Sequence, residues 1–108
     1  FTVESTPELA NLAEKNFIAG GYINIQLKRG DSRKGWAEKA PFDAIIATAA
    51  FEQIPNNILY QLKIGGRFVG PIGIYEKEGD SQELLIIERT NDGFVKRSIM
   101  SVRFSMLP

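Results

Sequence analysis

Glu4, Asp31, Thr48-Ala49-Ala50 and Arg103 are the side chains whose type and position suggest chemistry. Glu4 closes a short apolar run, Phe1-Thr2-Val3, immediately before the helix-start signal Ser5-Thr6-Pro7-Glu8. A carboxylate at the C-terminal end of a strand can accept hydrogen bonds from both hydroxyls of a ribose, as in nucleotide-binding α/β domains. The same acid also favours the N-terminus of the following helix with no ligand present. Asp31 follows Gly30 at the end of a second apolar alternation, and by itself it describes a turn aspartate. Thr48-Ala49-Ala50 ends the most apolar stretch, where open α/β sheets bind ligands and small side chains allow close approach. Ordinary strand-end packing accounts for them equally well. Arg103 offers a cation to a substrate carboxylate, against the plainer reading of a solvated arginine.

Composition removes other chemistries. The chain has no cysteine and no histidine, which excludes thiol nucleophiles, Ser-His arrangements and thiolate or imidazole metal sites. No metal is expected. Thirteen basic and thirteen acidic side chains cancel, so no net field draws nucleic acid or an anionic membrane. The longest apolar run, residues 44–51, is far short of the roughly 20 residues that span a bilayer. The absence of cysteine suits a reducing, cytoplasmic setting. With 108 residues, 44% of them hydrophobic, the chain is sized for one core.

The elements that must position these residues can be read in order. Residues 1–4 form the end of a buried strand. Ser5 or Thr6 caps a helix, with Glu8 completing Ser-x-x-Glu and Leu9, Leu12, Ala13 and Phe17 forming its apolar stripe. Gly20-Gly21 stops the helix, and Ile23, Ile25 and Leu27 alternate as an edge strand. Residues 42–48 are apolar on both faces in their second half, the pattern of a central parallel strand covered on each side. Pro55 opens a helix that Gly65-Gly66 ends, and residues 67–72 form the next strand. Residues 84–88 and 94–99 flank the turn Thr90-Asn91-Asp92-Gly93, and residues 102–106 add a final strand. Strand, helix, strand, loop, strand, helix, strand implies parallel pairing with right-handed crossovers.

The strings PFDAIIATAAFEQIP and LYQLKIGGRFVGPIG resemble protein-L-isoaspartate O-methyltransferases. The family's features are matched by Thr48-Ala49-Ala50, by Ile54-Pro55, and by Leu62-Lys63-Ile64-Gly65-Gly66-Arg67. GYINIQLKRGDSRKGW upstream, with QELLIIER and Val102-Arg103-Phe104 downstream, extends the resemblance over essentially the whole chain. Gly30-Asp31-Ser32, Phe51-Glu52-Gln53 and Ser105-Met106-Leu107 depart from the family's Gly-Asp-Gly, Ala-Pro-Glu and Val-Pro-Leu.

The resemblance implies an α/β, Rossmann-like methyltransferase fold that uses S-adenosylmethionine. Its sheet is mostly parallel, with helices on both faces and a C-terminal antiparallel hairpin. Residues 1–108 would be the C-terminal part of a single methyltransferase domain, monomeric at full length. The implied activity is methyl transfer to isoaspartyl carboxylates in damaged peptides and proteins. Glu4, Asp31, Ser32, Thr48 and Ala49 would bind the cofactor, and Ala50 and Arg103 the substrate. The glycine-rich loop and the active-site serine of the family would fall before Phe1. No catalytic residue is therefore assigned here, and the isolated chain is expected to be inactive, with Glu4 idle. Two alternatives stand beside this reading: a methyltransferase with another acceptor, and a non-catalytic or partner-completed module.

Overall fold

The structure, a computed structural model, describes residues 1–74 and 76–108. It divides into two compact units, Phe1–Trp36 with Pro108, and Ala37–Leu107.

The first unit is a strand–helix–strand crossover. Strands β1 (Thr2–Glu4) and β2 (Leu27–Arg29) pair in parallel, with Glu4 opposite Arg29, and helix α1 (Pro7–Ala19) connects them. Thr6 is the N-cap residue in extended conformation, and Pro7 follows it, where its missing N–H costs nothing. The expected Ser-x-x-Glu cap does not form. Thr6 makes no side-chain cap bond, and the Ser5 hydroxyl is used elsewhere. The expected apolar stripe also rotates. Ala10 is buried and Ala13 and Phe17 half-buried, whereas Leu9 and Leu12 stay exposed. Alanines therefore face the sheet, where small side chains let α1 lie close.

Gly20-Gly21 ends α1 as expected, and the reason is geometric. Gly21 sits at φ +72°, donates to the Ile18 carbonyl, and turns Tyr22 N–H back onto the Phe17 carbonyl. That is the paired-bond helix stop that requires a left-handed residue. Ile23 is almost fully exposed, so the second strand starts at Leu27 and not at Ile23. A 3-10 turn, Ser32–Lys34, follows β2.

The second unit is a four-stranded sheet in the order β3 (Phe42–Ile46), β4 (Leu62–Gly73), β5 (Gln82–Thr90), β6 (Gly93–Val102). β3 runs parallel to β4, and β4, β5 and β6 form an antiparallel meander in which Thr90-Asn91-Asp92-Gly93 turns β5 into β6. The core comprises Phe51, Ile58, Leu59, Leu62, Phe68 and Ile87, with Ile45, Ile72, Leu85 and Leu107 packed against it.

Three expectations change here. Helix α2 is a single turn, Asn56–Leu59, because the Gln61 carbonyl already accepts from Phe42 N–H at 2.7 Å and draws the chain into the sheet. Gly65-Gly66 is consequently an irregularity inside β4. The register jumps from Phe42 opposite Leu62 to Ala44 opposite Arg67, and the two glycines absorb the excess residues. Gly65 lies at φ +86°, and a Cβ on Gly66 would meet the carbonyl oxygens of Lys63, Asp43 and Phe42 at 2.9–3.1 Å. Finally, β3 is the outer strand of its sheet among the described residues, and Ile46 is 74% exposed. Its apolar character anticipates cover on both faces, and the described elements cover one.

Candidate functional site

Parallel pairing of β1 and β2 brings their C-terminal ends side by side, and with them Glu4, Ser5, Asp31 and Ser32. Gly30 N–H donates to the Glu4 carbonyl at 3.2 Å, which carries the β1–β2 pairing just past Arg29. The Glu4 carboxylate is half-buried, and its Oε1 accepts from Thr6 N–H at 3.1 Å. One oxygen thus stabilises the start of α1. An ionised carboxylate has about four lone-pair sites, so capacity for a further donor pair remains.

Asp31 is exposed, and its carboxylate caps the 3-10 turn by accepting from Arg33 N–H at 2.9 Å. Ser32 is tied to the helix start: its N–H donates to Ser5 Oγ at 3.0 Å, and the two hydroxyls share a 2.7 Å hydrogen bond. Sequence reasoning missed this pair because Ser5 carries a standard capping signature, and no local pattern marks a partner 27 residues away. Trp36 packs edge-on against Phe1 with ring centroids 5.5 Å apart, and Lys28 Nζ lies over its ring. These contacts make it a structural plug of this unit.

In the second unit, Thr48, Ala49 and Ala50 leave the end of β3. Thr48 is exposed, Ala49 half-buried and Ala50 fully buried. Their backbone is held from two sides. Ala50 N–H donates to Ser105 O and Ala50 O accepts from Leu107 N–H, both at 2.8 Å. Phe51 N–H donates to Pro71 O at 3.1 Å, and Gly73 N–H to Phe51 O at 2.8 Å. Ala50 and Phe51 therefore splice a parallel bridge to Met106 on one side to a parallel bridge to Ile72 on the other. The expected terminal strand over residues 102–106 resolves into the end of β6 and this bridge. Gly70 makes room nearby, since a Cβ there would lie 2.9 Å from Ala47 Cβ. Arg103 lines an open cleft of about 340 Å³ with Asp80, Ser81, Ser101 and Val102.

Glu4, Asp31 and Ser32 thus share the first unit, and Thr48, Ala49, Ala50 and Arg103 the second. Among the described residues, no group of three or more His, Cys, Asp or Glu is placed to hold a metal ion. No helix there is long and apolar enough to cross a membrane.

The architecture has close counterparts among solved proteins. One is a protein-L-isoaspartate O-methyltransferase, 27% identical, with a TM-score of 0.86 over 96% of this chain and 32% of that one. Another is a Plasmodium falciparum beta-aspartate methyltransferase in complex with S-adenosyl-L-homocysteine. It is 23% identical, with a TM-score of 0.80 over 98% of this chain and 50% of that one, and it speaks for the fold alone. The fold is that of the S-adenosylmethionine-dependent methyltransferases. More specifically, the chain belongs to the protein-L-isoaspartate(D-aspartate) O-methyltransferase family, whose model matches residues 1–107.

Curated relatives agree. The protein-L-isoaspartate O-methyltransferase of Gloeobacter violaceus is 39% identical over 104 residues, covering 96% of this chain and 49% of the relative. That of Aliivibrio salmonicida is 54% identical over 81 residues, 75% of this chain and 36% of the relative. The chain spans about half the length of these relatives, or less.

Proposed function

We propose that these residues are the C-terminal part of a protein-L-isoaspartate O-methyltransferase that methylates isoaspartyl carboxylates in damaged peptides and proteins. The observation that carries this reading is the unbroken family match across residues 1–107. Glu4 holds the ribose of S-adenosylmethionine with the carboxylate capacity left beside Thr6 N–H. Asp31 and Ser32 form the nucleoside-side loop, which the Ser5 hydroxyl fastens to the start of α1. Thr48 and Ala49 give close access at the strand end, and Ala50 and Arg103 belong to the acceptor side.

When bound, S-adenosylmethionine supplies an electrophilic methyl group on a sulfonium. The acceptor carboxyl is already ionised at neutral pH, its ordinary pKa being near ~4, so no general base is required. A chain without histidine or cysteine is suited to such a reaction, in which the protein's work is positioning and exclusion of water. The test is methyl transfer by the full-length gene product to an isoaspartyl peptide and to its L-aspartyl counterpart. Transfer to the isoaspartyl peptide alone is expected. Equal transfer to both, or transfer only to small-molecule acceptors, points to another acceptor class.

The open outer edge of β3, with Ile46 74% exposed, favours a second reading for the 108 residues by themselves: a methyltransferase module that acts only once further chain completes its sheet. Calorimetric titration of the isolated chain with S-adenosylhomocysteine distinguishes the cases. Micromolar binding means that these residues hold the nucleoside unaided.

A further inference from the structure

Gln82, at the start of β5, is 1% exposed. Its amide lies along the backbone of Phe104, just beyond the last residue of β6. Phe104 N–H donates to Gln82 Oε1 at 2.8 Å, and Gln82 Nε2 donates to Phe104 O at 3.1 Å. A backbone N–H only donates and a carbonyl only accepts, so this pairing fixes the orientation of the amide. The side chain thereby imitates one residue of a neighbouring strand. Nε2 also lies 3.4 Å from Met106 Sδ. One buried amide therefore grips the terminal segment at two alternate residues.

The same segment carries the other half of the grip. Ser105 O and Leu107 N–H hold the two backbone groups of Ala50, and Leu107 packs on the core. Arg103 stands between Val102, the end of β6, and Phe104, the residue Gln82 holds. The two groups assigned to the acceptor, Ala50 and Arg103, are thus joined through a piece of backbone whose placement depends on Gln82.

We infer that Gln82 is a positioning residue for the methyl acceptor: it sets residues 103–107, and with them the place of Arg103 in its cleft, while the same segment holds the buried Ala50 by its backbone. This rests on the methyltransferase reading above. Gln82 touches neither acceptor nor cofactor in this role, so its loss acts on the acceptor KM and leaves cofactor binding alone.

The experiment uses the full-length protein and the variants Gln82→Ala and Gln82→Met, the second keeping length and volume without the amide. Acceptor KM for an isoaspartyl peptide is expected to rise roughly tenfold in both, the scale of losing one or two neutral hydrogen bonds. The KM for S-adenosylmethionine is expected to stay within twofold. Hydrogen exchange at Phe104 and Leu107 should quicken, while exchange at Phe68 and Ile87 stays slow. A wild-type protein that transfers no methyl to the peptide overturns the functional reading itself. An active wild type whose two variants keep the acceptor KM within twofold overturns the role of Gln82. Equal rises in both KM values, or quickened exchange across β4 and β5 as well, also overturn it, since they mark general loosening.

Discussion

The Ser5 and Ser32 hydroxyls lie 2.7 Å apart across 27 residues of chain, and the same Ser5 oxygen accepts from Ser32 N–H. This joins the entry of α1 to the loop after β2, the two places that carry Glu4 and Asp31. Ser5→Ala removes the acceptor for a half-buried N–H as well as the hydroxyl pair, and a loss of about 1–2 kcal/mol is expected. Ser32→Ala keeps its N–H bonded to Ser5 and is expected to cost about half of that. Urea midpoints of the two single variants and the double variant measure the coupling, and strict additivity would exclude a shared bond.

Glu4 has two jobs that one substitution separates. Glu4→Gln keeps an oxygen for Thr6 N–H but gives up the charge and half of the acceptor capacity. Stability is expected to change by less than ~0.5 kcal/mol, as for most conservative changes outside a core. Affinity of the full-length protein for S-adenosylhomocysteine is expected to fall roughly tenfold to a hundredfold, as for lost hydrogen bonds to a charged group. Calorimetric titration measures it, and an unchanged affinity reduces Glu4 to a helix-capping acid.

Two glycines are required for different reasons, and alanine tells them apart. At Gly21 nothing lies within 4 Å of an added Cβ, so only the left-handed backbone at φ +72° is penalised. About 1 kcal/mol is expected there. At Gly66 an added Cβ meets three backbone carbonyls, and neither β3 nor β4 can yield without losing its register. A cost of about 3 kcal/mol or more is expected, the upper range for overpacking. Thermal melts of the pair suffice, and a Gly66→Ala variant as stable as Gly21→Ala would mean that β4 yields.

The outer edge of β3 makes the 108 residues by themselves prone to pair with another strand. Sedimentation of the isolated chain is expected to show self-association that increases with concentration. Ile46→Lys places a charge on a side chain already 74% exposed, so the fold should lose less than ~0.5 kcal/mol while association weakens. An isolated chain that remains monomeric at high concentration contradicts this.

Much of the fold was legible because it is encoded in neighbours along the chain. The Asn91-Asp92-Gly93 turn places its own hairpin, Pro7 and Gly21 bracket α1, and the apolar run from Phe42 reads as a strand, though the structure makes it an outer one among the described residues. The family motifs at Thr48-Ala49-Ala50 and Gly65-Gly66-Arg67 were legible for the same reason, as clusters of adjacent residue types. Glu4 was legible as an acid at a strand end, though not as an acceptor for Thr6 N–H.

What the tertiary structure alone decided are the choices between two locally reasonable states. Gly65-Gly66 reads as a helix stop, yet Phe42 captures Gln61 and turns the same glycines into a strand irregularity. Ser5 reads as a cap, yet parallel register brings Ser32 to its hydroxyl. Gln82 lies outside the strand read at residues 84–88, and only the path of residues 103–107 gives its amide a partner. Hydrophobic period and turn chemistry act over a few residues and are written in the sequence. A hydrogen-bond partner tens of residues away depends on which strands meet and in what register, and that is settled only when the chain folds.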